Sequence, residues 1–327
     1  MNQRPFDHTG RLTSEIGLGC WQIGGSDWGV IDESTSFEIL STAVAAGVNF
    51  FDTADVYGDG RSETLIGQFL KKTGDEVFVA TKVGRSSELY PDGYTEANLR
   101  AATEASLSRL GVDALDLTQL HCIPAAVLQK GEVFETLRIL RAEGKIRQFG
   151  ASVESMDEAL FCLDQGGLAS LQIIFNIFRQ KPITALFEHA KAKGVALIIR
   201  LPLASGLLSG KMTSHSQFPE TDHRSYNRDG AAFNVGETFA GLPFELGVEL
   251  AEEIKPLVPE GMTMAQMAQR WILDFDAVSV VVTGASRADQ VVANATSSTL
   301  PPLSRLLHEK LTRFYEEKVA SHIRGPY

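Results

Sequence analysis

Asp52, Tyr57, Lys82 and His121 carry groups that can work together on a carbonyl. Asp52 closes the short apolar run NFF and Tyr57 follows in NFFDTADVYGDGRSE, while Lys82 ends VFVAT and His121 ends LDLTQL. A phenol titrates at about 10, which makes it a reluctant acid at neutral pH; an adjacent ammonium favours the phenolate and pulls that value down. Lys82 supplies the charge. Asp52 supplies the counter-charge that makes a lysine tolerable away from water, and a histidine can hydrogen-bond a carbonyl oxygen and fix its orientation. The expected chemistry is general acid catalysis by Tyr57 on a carbonyl receiving hydride, or general base catalysis in the reverse oxidation. Asp55, in the same stretch, reads as a loop residue or turn former.

Groups so far apart in sequence meet only if a scaffold brings several strand ends to one place. A glycine recurs between a helical pattern and a short apolar run in AAGVNFF, KTGDEVFVA, RLGVDALDL, AEGKIRQFG, QGGLASLQII and AKGVALII. These glycines, Gly47, Gly74, Gly111, Gly144, Gly166 and Gly194, fall where a helix C-terminal cap takes a left-handed residue. The segments before them carry apolar residues at helical spacing, such as Phe37, Leu40 and Val44, or Leu99, Ala102, Leu107 and Leu110. The runs after them are apolar almost throughout, as parallel strands buried on both faces must be. With IGLGC (16–20) in front and VSVVVTG (278–284) behind, the count is eight strands, each followed by a helix-like segment. This predicts a single α/β domain over residues 1–327, a closed (β/α)8 TIM barrel whose active site lies at the strand C-termini. Residues from Met212 to about Gly247 lack a period and read as a long lid loop after strand seven, packed by Phe218, Tyr226, Phe233, Phe239 and Phe244.

Other functions are poorly served. The 327 residues include 30 basic and 41 acidic ones, a net charge of −11, which argues against nucleic acid or an anionic membrane as partner. Cys20, Cys122 and Cys162 are odd in number and contain no CxxC, so neither a disulfide framework nor a zinc site is expected, and a reducing cytoplasm fits. Runs such as VALII (195–199) are too short to span a bilayer. A dinucleotide-binding open sheet would show three glycines in its first turn, and Gln22 stands where the third belongs after Gly17 and Gly19. A phosphate-binding P-loop fails in ASGLLSGKM, with Ser205 for the first glycine and Met212 for the magnesium-binding Ser or Thr. The seven histidines form no HExxH, and His215 and His223 lack a set of partners, so no metal is expected.

GVNFFDTADVYGDGRSETLIG, FVATKVG, LDLTQLH and VVTGASRADQVVAN resemble the aldo-keto reductase superfamily, in particular its bacterial-type branch, in an order that covers essentially the whole chain. The resemblance implies a barrel that binds NADP(H) across its mouth without a Rossmann fold, with Asp52, Tyr57, Lys82 and His121 as the catalytic quartet. It also implies that Gly19 and Trp21 approach the cofactor and line the substrate pocket. Ser152 and Gln172 match positions that hold the nicotinamide amide, whereas Val153 departs from the asparagine of many members. Leu203, Ser205, Gly206, Leu208, Gly210 and Lys211 resemble a loop that covers the pyrophosphate. Arg200 stands where many members stack an aromatic on the nicotinamide, so the packing of that face must differ. Gly284, Ser286, Arg287, Gln290 and Asn294 open the last barrel helix, where free N–H groups and the helix dipole favour an anion. Ser286 and Arg287 suit the 2′-phosphate of NADP(H), which a guanidinium matches through paired hydrogen bonds.

The leading expectation is an NADP(H)-dependent reductase of aldehydes or ketones, run as a dehydrogenase when concentrations favour it. Alternatives are a dedicated dehydrogenase of a sugar or a pyridoxal-type substrate, and a cofactor-bound, redox-sensing regulatory subunit. The pattern is compatible with a monomer or a homo-oligomer.

Overall fold

The computed structural model describes residues 1–6, 10–29 and 31–327, without the side chain of Ser26. Eight strands close into a parallel barrel: β1 (Ile16–Gly19), β2 (Phe50–Asp52), β3 (Phe78–Val83), β4 (Leu115–His121), β5 (Ile146–Ser152), β6 (Leu168–Ile174), β7 (Ala196–Arg200) and β8 (Val278–Gly284). They pair in sequence order, and β8 closes the ring on β1. This is a (β/α)8 TIM barrel, as expected. Helices on its outside include α1 (Glu33–Ala45), α2 (Arg61–Thr73), α3 (Glu96–Leu110), α4 (Glu132–Ala142), α5 (Met156–Leu163) and α6 (Phe187–Lys193). After β7 come α7 (Phe244–Ile254) and α8 (Met264–Leu273), and after β8 comes α9 (Ala288–Thr296). Among the described residues no helix is long and apolar enough to cross a membrane.

Five of the six glycine junctions take the expected left-handed backbone, at Gly47, Gly74, Gly111, Gly144 and Gly194. The sixth is shifted: Gly167, with φ +87°, turns the chain rather than Gly166. Two adjacent glycines gave the sequence no means of choosing between them.

The two-residue period of a strand divides each barrel strand into a floor and a rim. Phe50, Phe78, Ala80, Leu117, Ala196, Ile198, Val280 and Val282 form a buried interior cluster together with Phe6. Two residues further along the same face come Asp52 from Phe50, Lys82 from Ala80, His121 from Gln119 and Leu117, Arg200 from Ile198 and Gly284 from Val282. Strand register adds the rest: Gly19 sits beside both Asp52 and Gly284, and Ser152 beside both His121 and Gln172. Nearly all strand-borne candidates therefore face into one mouth.

Phe6 plugs the other end. It follows Gln3–Pro5, which pairs antiparallel with Leu12–Ser14, and its ring lies 4.9 Å from that of Phe78 and 5.7 Å from that of Phe50.

The segment after β7 is packed, not loose. Phe239 and Phe244 are buried with rings 4.9 Å apart, and Phe218 meets both. The aperiodic stretch ends sooner than the sequence suggested, because α7 already begins at Phe244.

Replacing Phe6 with Ala should cost about 3–5 kcal/mol, the range for truncating a buried phenylalanine. Denaturant unfolding measures this; a loss below about 1 kcal/mol would show that the floor needs no plug.

Candidate active site

Lys82 is the centre of the rim. Its ammonium is buried and donates three hydrogen bonds: to Asp52 Oδ2 at 2.7 Å, to the carbonyl of Thr53 at 2.8 Å and to the Tyr57 hydroxyl at 3.2 Å. An ammonium has three protons, so its donor capacity is used up. Because Tyr57 accepts from the lysine, its own proton is free to point elsewhere. The second carboxylate oxygen of Asp52 accepts from Gln172 Nε2 at 2.7 Å, so both of its oxygens are engaged. Gln172, matched by resemblance to the cofactor amide, thus also steadies the counter-ion.

Tyr57 lies on the turn between β2 and α2, and two glycines let that turn sit against the short helix Trp21–Gly24. A Cβ on Gly24 would fall 2.7 Å from the Tyr57 backbone, and one on Gly58, whose φ is +63°, would overlap the Gly24 carbonyl. The close approach stacks Trp21 on the Tyr57 ring at 5.6 Å and 15°. His121 meets the same ring edge-on at 5.9 Å.

Burial works against the expected acidity of Tyr57. Desolvation raises its pKa more than the Lys82 charge lowers it, and Asp52 adds to the rise. The ammonium therefore offsets the burial penalty without producing a phenol more acidic than in water. For Lys82, burial acts downward, but Asp52 and Tyr57 outweigh it and leave the ammonium above its ordinary value.

A cleft opens over this group, bordered by Gly19, Trp21, Ser152, Gln172, Arg200, Leu203, Ser205, Gly206 and Gly284, together with Asp52, Tyr57 and His121. Leu208, Gly210 and Lys211 do not border it. Leu208 is wholly buried in the core, Gly210 caps the turn Ala204–Ser209 with φ +70°, and the Lys211 side chain is exposed. Ser286, Arg287, Gln290 and Asn294 lie beyond the Gly284 end. There Gln290 Oε1 accepts from both the backbone and the hydroxyl of Ser286, Arg287 pairs with Asp289 on the surface at 3.0 Å, and Asn294 donates to the Gly284 carbonyl. Gly284 and Gly206 keep the cleft wall thin, since a Cβ on Gly284 would strike the Gln22 amide and one on Gly206 (φ +102°) would press on Met212; at the far end stands the start of α9, with Arg287 as its N-cap and Asp289 in its first turn.

Sequence reasoning missed a buried charge cluster. Arg200 reaches across the mouth: Nη1 is 3.0 Å from Glu237 Oε2, and Nη2 is near Cys122 Sγ and the Val153 carbonyl. Glu237 also binds Arg85, which in turn lies 3.2 Å from Glu154. Burial pushes Glu237 up, but the two guanidiniums more than reverse this and hold it at about 2; burial and the Glu237 charge push Glu154 to about 7. No local motif signals these partners, because Glu237 lies in the aperiodic segment. A second cavity of about 460 Å³ adjoins the cleft at Trp21, Tyr57, His121 and Glu237, and is walled by Asp27, Arg85, Glu154, Asn234, Phe233 and others.

A model of the Aldo/keto reductase family matches residues 15–316. Aldo-keto reductase YhdN of Bacillus subtilis (strain 168) is 31% identical over 292 residues, spanning 87% of this chain and 85% of that protein. The chain belongs to the aldo/keto reductase family. The NADH-specific methylglyoxal reductase of Escherichia coli (strain K12) is 29% identical over 315 residues, spanning 91% of this chain and 93% of its own length. Among solved structures, the holo form of aldo-keto reductase AKR11C1 from Bacillus halodurans superposes with a TM-score of 0.77 at 25% identity over 96% of each chain.

In this aldo/keto reductase His121 is held uncharged: burial lowers its pKa well below 6.5, and Arg85, Lys82 and Arg200 lower it further. As a base with a depressed folded-state pKa, it makes the unfolded chain bind the extra proton first, so its contribution to stability is lost as pH falls below the unfolded value. NMR of nitrogen-labelled histidine should show a neutral His121 ring at pH 6.5. Stability should fall less steeply on acidification in His121→Gln; an imidazolium at that pH, or an unchanged slope, would contradict the assignment.

Proposed function

We propose that the protein is an NADP(H)-dependent oxidoreductase that interconverts aldehydes or ketones with alcohols, residues 1–327 forming one barrel domain. The observation that carries this reading is the buried Lys82 ammonium with all its protons committed, one of them to Tyr57. The dinucleotide, when bound, supplies or accepts the hydride. In reduction Tyr57 passes its proton to the carbonyl oxygen as hydride adds to the carbon, and Lys82 stabilises the phenolate left behind. In oxidation the same phenolate takes the alcohol proton. Neutral His121 orients the reacting oxygen as a hydrogen-bond donor without adding charge.

The cofactor reading follows the Gly284 end. Ser286 and Arg287 offer a hydroxyl and an exposed guanidinium at the start of α9, donors suited to a 2′-phosphate. The E. coli relative's NADH specificity makes this the feature to test. The adjoining cavity favours neutral polyhydroxylated substrates as a second reading, a sugar-type dehydrogenase: its lining combines Trp21 and Phe233 with the carboxylates of Asp27 and Glu154 and the Asn234 amide. Residues 212–243 serve as its lid.

Tyr57→Phe should leave NADPH binding nearly unchanged while turnover falls by about a hundredfold or more. Because Tyr57 keeps its proton through neutral pH, carbonyl reduction by the wild type should decline only on the alkaline side. Steady-state kinetics with fluorescence titration checks both, and a Phe variant with retained turnover would remove Tyr57 from its role. Arg287→Ala should weaken NADPH about tenfold or more and leave NADH nearly unaffected. Equal loss for both cofactors would refute the phosphate contact.

A further inference from the structure

Glu237 is the acidic residue of the lid that borders both the cofactor-side cleft and the substrate-side cavity. It is 5% exposed, and the guanidiniums it binds come from opposite sides of the mouth, Arg200 at the end of β7 and Arg85 just past β3. Their side chains are 12% and 18% exposed, so neither charge is well hydrated. The lid backbone is pinned at the same point: Ser205 Oγ donates to the Glu237 carbonyl at 3.3 Å and accepts from the Phe239 N–H at 3.1 Å. Cys122, Glu154 and Glu237 hold donor atoms within 4.8 Å of one another, but guanidiniums already occupy both Glu237 oxygens and one of Glu154.

We propose that Glu237 is a positioning residue that clamps the lid across the mouth and offsets part of the charge of the two guanidiniums beside the reaction chamber, thereby setting how the cleft discriminates between oxidised and reduced cofactor. The argument is electrostatic. Oxidised nicotinamide carries a positive charge and reduced nicotinamide does not, so a buried carboxylate at this border selectively favours the oxidised form. Without it, Arg200 loses its carboxylate partner and Arg85 keeps only Glu154, so the positive charge around Tyr57 and His121 rises. The oxidised ring is then disfavoured, and a small anion is drawn in. This inference rests on the proposed dinucleotide reading.

The test titrates NADP+ and NADPH into the full-length protein carrying Glu237→Gln or Glu237→Asp, and measures chloride binding to the cofactor-free protein by chlorine NMR line broadening. In Glu237→Gln the ratio of the NADP+ Kd to the NADPH Kd should rise about tenfold, the scale of one buried charge, and chloride binding should appear. Glu237→Asp, which keeps the charge, should restore most of the wild-type ratio. An unchanged ratio in a folded Gln variant without chloride binding overturns the proposal. If the Gln variant does not fold, Arg200→Gln decides: the ratio should move in the opposite direction, and a constant ratio refutes the idea. A wild-type protein that binds neither dinucleotide would instead remove the functional reading beneath it.

Discussion

The rim of this barrel depends on one buried ion pair, Lys82 with Asp52 at 2.7 Å. Taking an ammonium and a carboxylate out of water costs several kcal/mol per ion, and their attraction recovers this only when the remaining donors and acceptors are also satisfied. Here they are: Thr53 and Tyr57 take the other two lysine protons, and Gln172 takes the other carboxylate oxygen. Such a pair is weak evidence for stability in itself. Its value is geometric, because a donor with no proton to spare fixes the oxygen it touches and frees that oxygen's own proton for another partner.

The remaining architecture serves this placement. Apolar side chains and the Phe6 plug fill the floor, so the polar groups two residues further along the strands stand on a close-packed base. The Tyr57 turn has no strand of its own and is held by contact between backbones at Gly24 and Gly58, which only residues without Cβ permit. Above the rim, charge is balanced across distance. Glu237 descends from the lid to hold Arg85 and Arg200, while the combined positive field and burial keep His121 neutral.

What the sequence made legible follows from local periodicity. The two-residue strand period aims Asp52, Lys82, His121 and Arg200 into one mouth, and the recurring glycines mark helix ends to within a residue, as the shift from Gly166 to Gly167 shows. Pairings that cross the barrel were not legible. Gln172 finds Asp52 over a separation of 120 positions, and Glu237 finds Arg85 over 152, the latter from a segment with no period. Nor could the sequence rank opposing effects on one group. It identified the downward pull of Lys82 on Tyr57, but the depth of burial that exceeds this pull is a property of the folded barrel.

The most direct measurement of the central claim is the titration of the Tyr57 phenol, followed by NMR of carbon-labelled tyrosine in the wild type and in Lys82→Met. With the ammonium removed, burial and Asp52 are opposed only by the more weakly acting Arg200, so the Tyr57 pKa should rise above its wild-type value. A Tyr57 pKa that stays constant or falls in Lys82→Met would show that the lysine does not tune the phenol, and the account of the rim would be wrong.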